Sequence, residues 1–593
     1  MVNRLEPVNL IDFTGGLNLR KNQFQLNGNE SPEMRNIAID PLGGIYTRRG
    51  WDRWSHDIVD PETAWDPRRA YLSQLADGTD VIYIAANNRI FASNVDTTFS
   101  DLGLDAQAVP HMADFAAYGD TTYIACGRDR QMAKRIRTNA PTLLTLAGAG
   151  SWNDDYLNPV ANVGPAAECV EAHSGYIFAA NIVEDGVTLP NRLRWSHPTS
   201  PEDWAQSDFI DIDIGGNYIS AMITYEDHLL IFKPDSVWAL YGYDAESWQL
   251  VQKSMTVGAR SPQVVTRNEV AVFFYSASDR GAIYAYGGER PMEISEQLRY
   301  AMESLLHPEL IWVGWVGRKL WVTLPWTYDG PTEDNVAVFV YDPSVGERGA
   351  WTYYMSQAGS LGPIVSGSNT DSQARPLGVL RSLEVPCVVR LEANDRAADR
   401  IWESAVWGFT DPNQSVNPSN PGFIVTGLDE EIVMSGAAGD QAFETVYRTP
   451  WVTADWPSRK KSFRRPDFIC RITGTDHNLQ IRSYRDYEEM QAKRQHILTV
   501  PAGAPLPPSS SAPPGQVAAV WGRFRWNDGT KWNQPGEGPP PLTPGGQKQG
   551  ASIRRGSSFG LCRALQLRVA GMTPAARWGI DAIVLKVVMR RFR

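Results

Sequence analysis

One phrase constrains the fold of this chain more than any other: a short apolar strand, a polar turn and a returning strand, written again and again. Asp80-Val81-Ile82-Tyr83-Ile84-Ala85-Ala86 turns at Asn87-Asn88 into Arg89-Ile90-Phe91-Ala92. The phrase recurs as Asp120-Thr121-Thr122-Tyr123-Ile124-Ala125-Cys126 and as Ser174-Gly175-Tyr176-Ile177-Phe178-Ala179-Ala180. It returns in His228-Leu229-Leu230-Ile231-Phe232 with Val237-Trp238-Ala239-Leu240-Tyr241, in Val270-Ala271-Val272-Phe273-Phe274 with Ile283-Tyr284-Ala285-Tyr286, and in Leu320-Trp321-Val322-Thr323-Leu324 with Val336-Ala337-Val338-Phe339-Val340-Tyr341. A lone hairpin of this kind leaves apolar faces in water, so copies spaced by about 40 to 55 residues must stack on one another. Radial closure satisfies that demand and protects the strand edges. The chain therefore reads as all-β, a β-propeller of about five to seven blades over residues 55–410, its period blurred by insertions such as 137–166.

Both flanks read differently. Residues 1–54 hold turn formers (Gly15-Gly16, Asn27-Gly28-Asn29, Gly43-Gly44) between short extended pieces. They predict either a lead-in arm that orders against something else or a strand completing the adjacent domain. Ser295 through Leu306 has apolar residues at helical spacing and predicts one helix between blades, with Ser295 as its cap. Residues 411–593 predict a second, sandwich-like β domain, with strands at Glu430–Met434, Glu444–Arg448, Asp467–Ile472, Leu479–Tyr484, Leu565–Val569 and Ile580–Val588. Within it, residues 501–550 carry eleven prolines plus Trp521, Phe524, Trp526 and Trp532. A long excursion of this composition points to a binding or assembly role, its aromatics anchored on its own domain or on a neighbouring protein.

Catalytic and metal chemistry leave no trace in the pattern. Eight histidines form no HExxH, and neither a phosphate loop nor a GxSxG elbow is present. Cys126, Cys169, Cys387, Cys470 and Cys562 are far apart and read as small core residues. Asp211 and Asp213 read as the polar face of a strand rather than calcium ligands, and Asp80, Asp120 and Asp227 as turn carboxylates. Carboxylates around a propeller funnel can build a glycosidase site, but the Asp-box repeats of sialidases are missing. The expectation is no enzyme, no cofactor and no metal. A net charge of −11 argues against a general nucleic-acid wrapper. The opening residues carry charges where a secretion signal needs an apolar run, and no segment reaches membrane-spanning length. The run Arg459-Lys460-Lys461-Ser462-Phe463-Arg464-Arg465 reads as a solvated face, or as a contact for passing DNA or an acidic neighbour.

Phe13-Thr14-Gly15-Gly16-Leu17-Asn18, Ser31-Pro32-Glu33-Met34-Arg35-Asn36 and Gly43-Gly44-Ile45-Tyr46-Thr47-Arg48-Arg49-Gly50 resemble the opening of tail nozzle and tubular proteins of short-tailed bacteriophages. Leu193-Arg194-Trp195-Ser196 with Pro201-Glu202-Asp203-Trp204, and Tyr341-Asp342-Pro343 followed by Trp351, resemble blades of phage propeller proteins of that kind. The resemblance runs through most of residues 10–355 and more loosely to the end. It implies a virion tail protein, a homo-oligomer closed into a hexameric ring, that acts as nozzle or hub and provides or gates a channel for genome ejection. Its partners would be a portal-proximal adaptor ring, tail fibres or host-facing proteins, and viral DNA in transit. Gly15, Gly16 and Arg49 are the structural matches. Arg459, Lys460, Lys461, Trp521, Trp526 and Trp532 are the candidates for assembly or channel contact. The alternatives are a glycan-binding or glycan-hydrolysing propeller, or a monomeric tail-tip plug.

Overall fold

The structure, a computed structural model, describes residues 5–589 except 57, 59–64, 77, 79, 95–96, 106–112, 147–151, 154–162, 199, 214–215, 335, 356–359, 367–375, 382–385, 395–397, 400–440, 455–456, 472–476, 489–490, 501–550, 556–557 and 572–576. The expected strand Glu430–Met434 lies outside the described residues.

The repeated hairpins are blades of an all-β propeller. Six four-stranded antiparallel sheets stand as separate blades. Their innermost strands are Pro67–Gln74, Asp114–Tyr118, Ala166–His173, Ala221–Tyr225, Val265–Arg267 and Leu361–Ser366. A further place in the ring, between the last two, is taken by Trp312–Val316, which opens a nine-stranded sheet whose first four strands repeat the blade pattern. Each innermost strand touches the next, and Leu361–Ser366 returns to Pro67–Gln74, so the ring closes. The blades are numbered one to seven below in chain order.

Local sequence explains the hairpins. Ser174 and Gly175 both adopt positive φ (49° and 85°), the backbone of the two-residue turn that follows the twist of the flanking strands. Gly317 and Arg318 repeat it at 60° and 68°. Serine hydroxyls pin the blades a second way: Ser93, Ser196, Ser295 and Ser55 accept from the amides of Ile82, Ile177, Ile283 and Val388, at 2.8–3.0 Å. That use of Ser295 replaces the expected helix cap. Residues Glu296–Leu298 form a 3-10 turn leading into one α turn, Arg299–Glu303, and Ser295 makes no side-chain cap bond to it. Apolar clusters fill the gaps between blades: Tyr83, Phe115 and Ile124 between blades one and two, and Phe178, Leu229 and Ile231 between blades three and four.

Closure depends on the N-terminal segment. The outer strand of blade seven is Gly50–Arg53, antiparallel to Val388–Asn394. Other pieces of the same segment leave the propeller. Glu33–Arg35 inserts between Ala350–Met355, the outer strand of blade six, and Val446–Arg448; Leu565–Gly571, His477–Arg485 and Arg494–Val500 continue that nine-stranded sheet. Leu5–Leu10, Ile37–Ile39 and Ile45–Thr47 join an eight-stranded sheet built on Gly579–Met589 and also holding Asp467–Arg471, Lys461–Phe463, Gly560–Cys562 and Ala551–Arg555. One apolar core, including Phe13, Met34, Ile45, Tyr447, Phe468, Ile481, Val569 and Ile583, serves these added sheets and runs on into blades four to six.

A chain beginning at residue 55 loses the strand that finishes blade seven and leaves the Val388–Asn394 edge bare. It is expected to aggregate or to be cut between blades seven and one in limited proteolysis, where the full chain resists. Equal resistance would show that closure does not need this strand.

Candidate functional site

Gly15 and Gly16 sit where a side chain cannot. A Cβ at Gly15 would lie 2.8 Å from the Asn29 carbonyl oxygen, and Gly16, at φ +64°, passes 2.8 Å from that of Trp351 by the same measure. This close packing shapes a cleft of about 580 Å³ between the N-terminal loop and the turn of blade six, lined by Asp12, Thr14, Lys21, Glu30, Gln297 and Arg348. Its walls largely satisfy themselves. Glu30 takes Lys21 Nζ (2.9 Å), Asn18 Nδ2 (2.9 Å) and the Asn27 amide (2.7 Å), while Asp12 accepts from both the amide and the hydroxyl of Thr14.

Arg49 is exposed; its neighbour Arg48 is the buried one. The Arg48 guanidinium lies 4.3 Å from the Trp51 ring and 3.8 Å from that of Phe443. It donates to Asn36 Oδ1 (2.9 Å), to the Arg49 carbonyl (2.9 Å) and to the Met355 carbonyl (3.3 Å). The chemistry that the Arg-Arg-Gly ending supplies is carried one residue earlier than the sequence reading placed it. Nothing in the doublet distinguishes its two arginines; the alternation counted back from Trp51 does not settle which one turns inward.

The basic run divides. Lys460, Arg464 and Arg465 are exposed and Arg459 is half-buried. Lys461 is fully buried, with its Nζ donating to the Arg563 carbonyl at 2.9 Å, because strand alternation turns it inward together with Phe463. Its ammonium is therefore not offered to a channel or partner, which corrects its placement among the contact residues. Trp521, Trp526 and Trp532 lie outside the described residues.

The propeller funnel holds groups that the sequence reading did not single out. Arg69 on the inner strand of blade one donates to Asp114 of blade two (3.2 Å) and to the Pro262 carbonyl at the entry to blade five (2.7 Å). Trp312 of blade six donates its indole N–H to the Arg68 carbonyl of blade one at 2.8 Å. Both longer links join blades that are not neighbours in the ring, so they reach across the funnel instead of around it. Further links run between neighbours. Asp114 accepts the Val170 amide at 3.2 Å, Glu171 accepts that of Thr224 at 3.0 Å, and Thr266 accepts that of Trp315 at 3.1 Å. Burial raises the Asp114 carboxyl above its ordinary range against the lowering effect of Arg69. Burial likewise lifts Glu171 from 4.5 to about 7, opposed by the Thr224 amide and Arg267. Glu168, on the same strand, also rises to about 7 through burial, with Arg128 3.5 Å away and the Asn181 amide donating to it. Charged residues on an inner strand are the signal available in sequence, but only the ring closure says which ones meet.

Among the described residues no group of three or more His, Cys, Asp or Glu is placed to hold a metal ion, and all five cysteines are buried free thiols. Asp211 is bonded to Arg192, and Asp120 to Arg137.

No protein-family model matches this chain, and no curated protein matches it. Among solved structures it is similar to virginiamycin B lyase from Staphylococcus aureus, with 11% identity over 57% of this chain and 99% of that one and a TM-score of 0.36. It is also similar to BBS1N in complex with ARL6DN (13% identity, 58% and 97% covered, TM-score 0.36) and to YCF48 bound to D1 peptide (8% identity, 60% and 97% covered, TM-score 0.34). Likenesses at this level carry nothing about function.

Two measurements follow from the site. Arg48→Leu strands Asn36 and two carbonyls and is expected to cost about 3 kcal/mol, read as a lower denaturant midpoint, while Arg49→Leu stays within about 0.5 kcal/mol of wild type. Equal effects would reverse the assignment. For Glu171, a folded pKa raised from 4.5 to about 7 means the folded chain holds the proton longer than the unfolded one. Stability from this group is then full below about 4.5 and falls as pH rises through about 7. The wild-type chain should lose stability relative to Glu171→Gln across that window; parallel profiles would contradict it.

Proposed function

We propose that the chain is a non-enzymatic structural subunit of a bacteriophage tail. Several copies close into a ring that serves as nozzle or hub and surrounds a passage for the genome. The tail opening phrases carry the family reading, and one observation of the fold bears on how such a passage is built. Arg69 and Trp312 cross the funnel of the propeller. A duplex cannot thread a funnel spanned by side chains, so a passage requires the space enclosed by several copies, and cyclic heterologous contacts enclose it. The hexameric number rests on the resemblance. In this reading the added sheets form a sandwich-like second domain that presents contacts to an adaptor ring on one side and to fibres or host-facing proteins on the other.

A second reading, a propeller that binds or hydrolyses surface glycans, is favoured by Glu168. Its carboxyl is raised to about 7 by burial beside Arg128, the direction a general acid needs, although it is itself buried and a substrate would have to open a way to it. Cleavage of host polysaccharide that disappears in Glu168→Gln would establish it and remove the non-enzymatic claim.

Electron microscopy of the protein in its native particle tests the ring directly. Class averages should show a closed ring of propellers around an axial opening. A single copy on the axis would replace the nozzle with a tail-tip plug.

A further inference from the structure

Residues 501–550 leave the chain at one sheet edge and rejoin it at another. Val500 ends the edge strand of the nine-stranded sheet, opposite His477, and Ala551 begins the edge strand of the eight-stranded sheet, opposite Arg471. Those two edge strands are in contact, so a much shorter connection would serve to join them. The excursion carries eleven prolines, three of them consecutive at Pro539-Pro540-Pro541. A proline run has its φ angles set before it binds and offers carbonyls without N–H groups, and aromatic side chains are the surface on which such runs settle.

The added sheets present one aromatic surface of this kind. Trp451 and Tyr484 form a small apolar cluster of their own, against which Tyr487 packs. The Tyr487 ring lies 5.1 Å from that of Trp451 and, edge to face, 4.9 Å from that of Phe24. Among the described residues of the N-terminal segment and the added sheets, Phe24 is the one aromatic left exposed. The backbone that carries Tyr487 is strained. Asp486 and Tyr487 take φ of +52° and +69° in a tight turn, with the Glu488 amide donating to the Arg485 carbonyl at 3.0 Å. Asn-Gly makes such a turn at little cost, whereas a bulky ring in the left-handed region is held there against its preference. What the strain gains is a ring set between Phe24 and Trp451.

We propose that the surface formed by Phe24, Tyr487 and Trp451 is the docking site of the chain's own Pro539-Pro540-Pro541 run. Reach does not limit the contact. Arg494 pairs with Ser483 close to the turn, and Val500 lies six residues further along the same strand, roughly 20 Å away. Half of the excursion, extended, spans roughly 80 Å. The proposal goes beyond the tail reading and does not rest on it, because a single axial copy in micrographs would leave it intact.

Cross-linking in the full chain tests it. Gln25 is exposed and next to Phe24, and the five native thiols are buried. Gln25→Cys with Pro540→Cys, treated with a short thiol-to-thiol reagent, should cross-link within one chain. The yield should exceed that of a control pair, Tyr243→Cys on blade four with Pro540→Cys, by roughly tenfold, since docking raises the local concentration of one thiol near the other. Adding Tyr487→Gly should bring the yield down to the control. Glycine relaxes the turn at that φ, so a failure to fold does not imitate the result. Changing Pro539 and Pro541 to alanine should lower the yield as well. Equal yields in the two pairs, cross-links formed between chains, or a yield untouched by Tyr487→Gly would each overturn the proposal.

Discussion

A propeller is a ring, and a ring is only as stable as its closure. In this chain the last blade is finished by a strand from the other end of the sequence, Gly50–Arg53 against Val388–Asn394. Arg48, immediately before that strand, is the group on which the junction turns. Its guanidinium is held between Trp51 of the closing strand and Phe443 from the C-terminal part, and it donates to Asn36 and to the end of blade six at Met355. Asn36 in turn accepts the Met355 amide and donates to the Glu444 carbonyl. A planar cation with several fixed donors can serve four segments at once, which a lysine cannot. Propeller closure and attachment of the added sheets consequently share one junction.

Sheet continuity follows from that junction. Glu33–Arg35 lies parallel to the outer strand of blade six on one side and antiparallel to Val446–Arg448 on the other, so a blade passes into the next layer without a linker. Glu33 adds ion pairs to Arg35, Arg448 and Arg568 across the same strands. A joint made of backbone ladder and a shared core does not hinge.

The repeated hairpins were legible because a blade is a local object: two apolar strands and a turn announce themselves within about twenty residues. The seam strand was legible only as an alternative, since nothing in Gly50-Trp51-Asp52-Arg53 says which edge it will complete. The basic run misplaced Lys461, because a charged run reads as surface until its register with Cys562 is known. Ser295 had the composition of a helix cap but was drawn into the recurrent serine-to-amide bond of the blades. In each case a local preference yielded to a partner far away in sequence, the kind of information that periodicity does not hold.

Charge makes the same point at the scale of the whole chain. The excess of eleven acidic charges describes an average, and the fold distributes it unevenly. In the funnel, Asp114 is tied to Arg69, while burial lifts Glu168 and Glu171 to about 7. The funnel is thus less acidic than its sequence. Among the described residues, Asp244, Glu246, Glu269 and Glu289 are exposed on blades four and five.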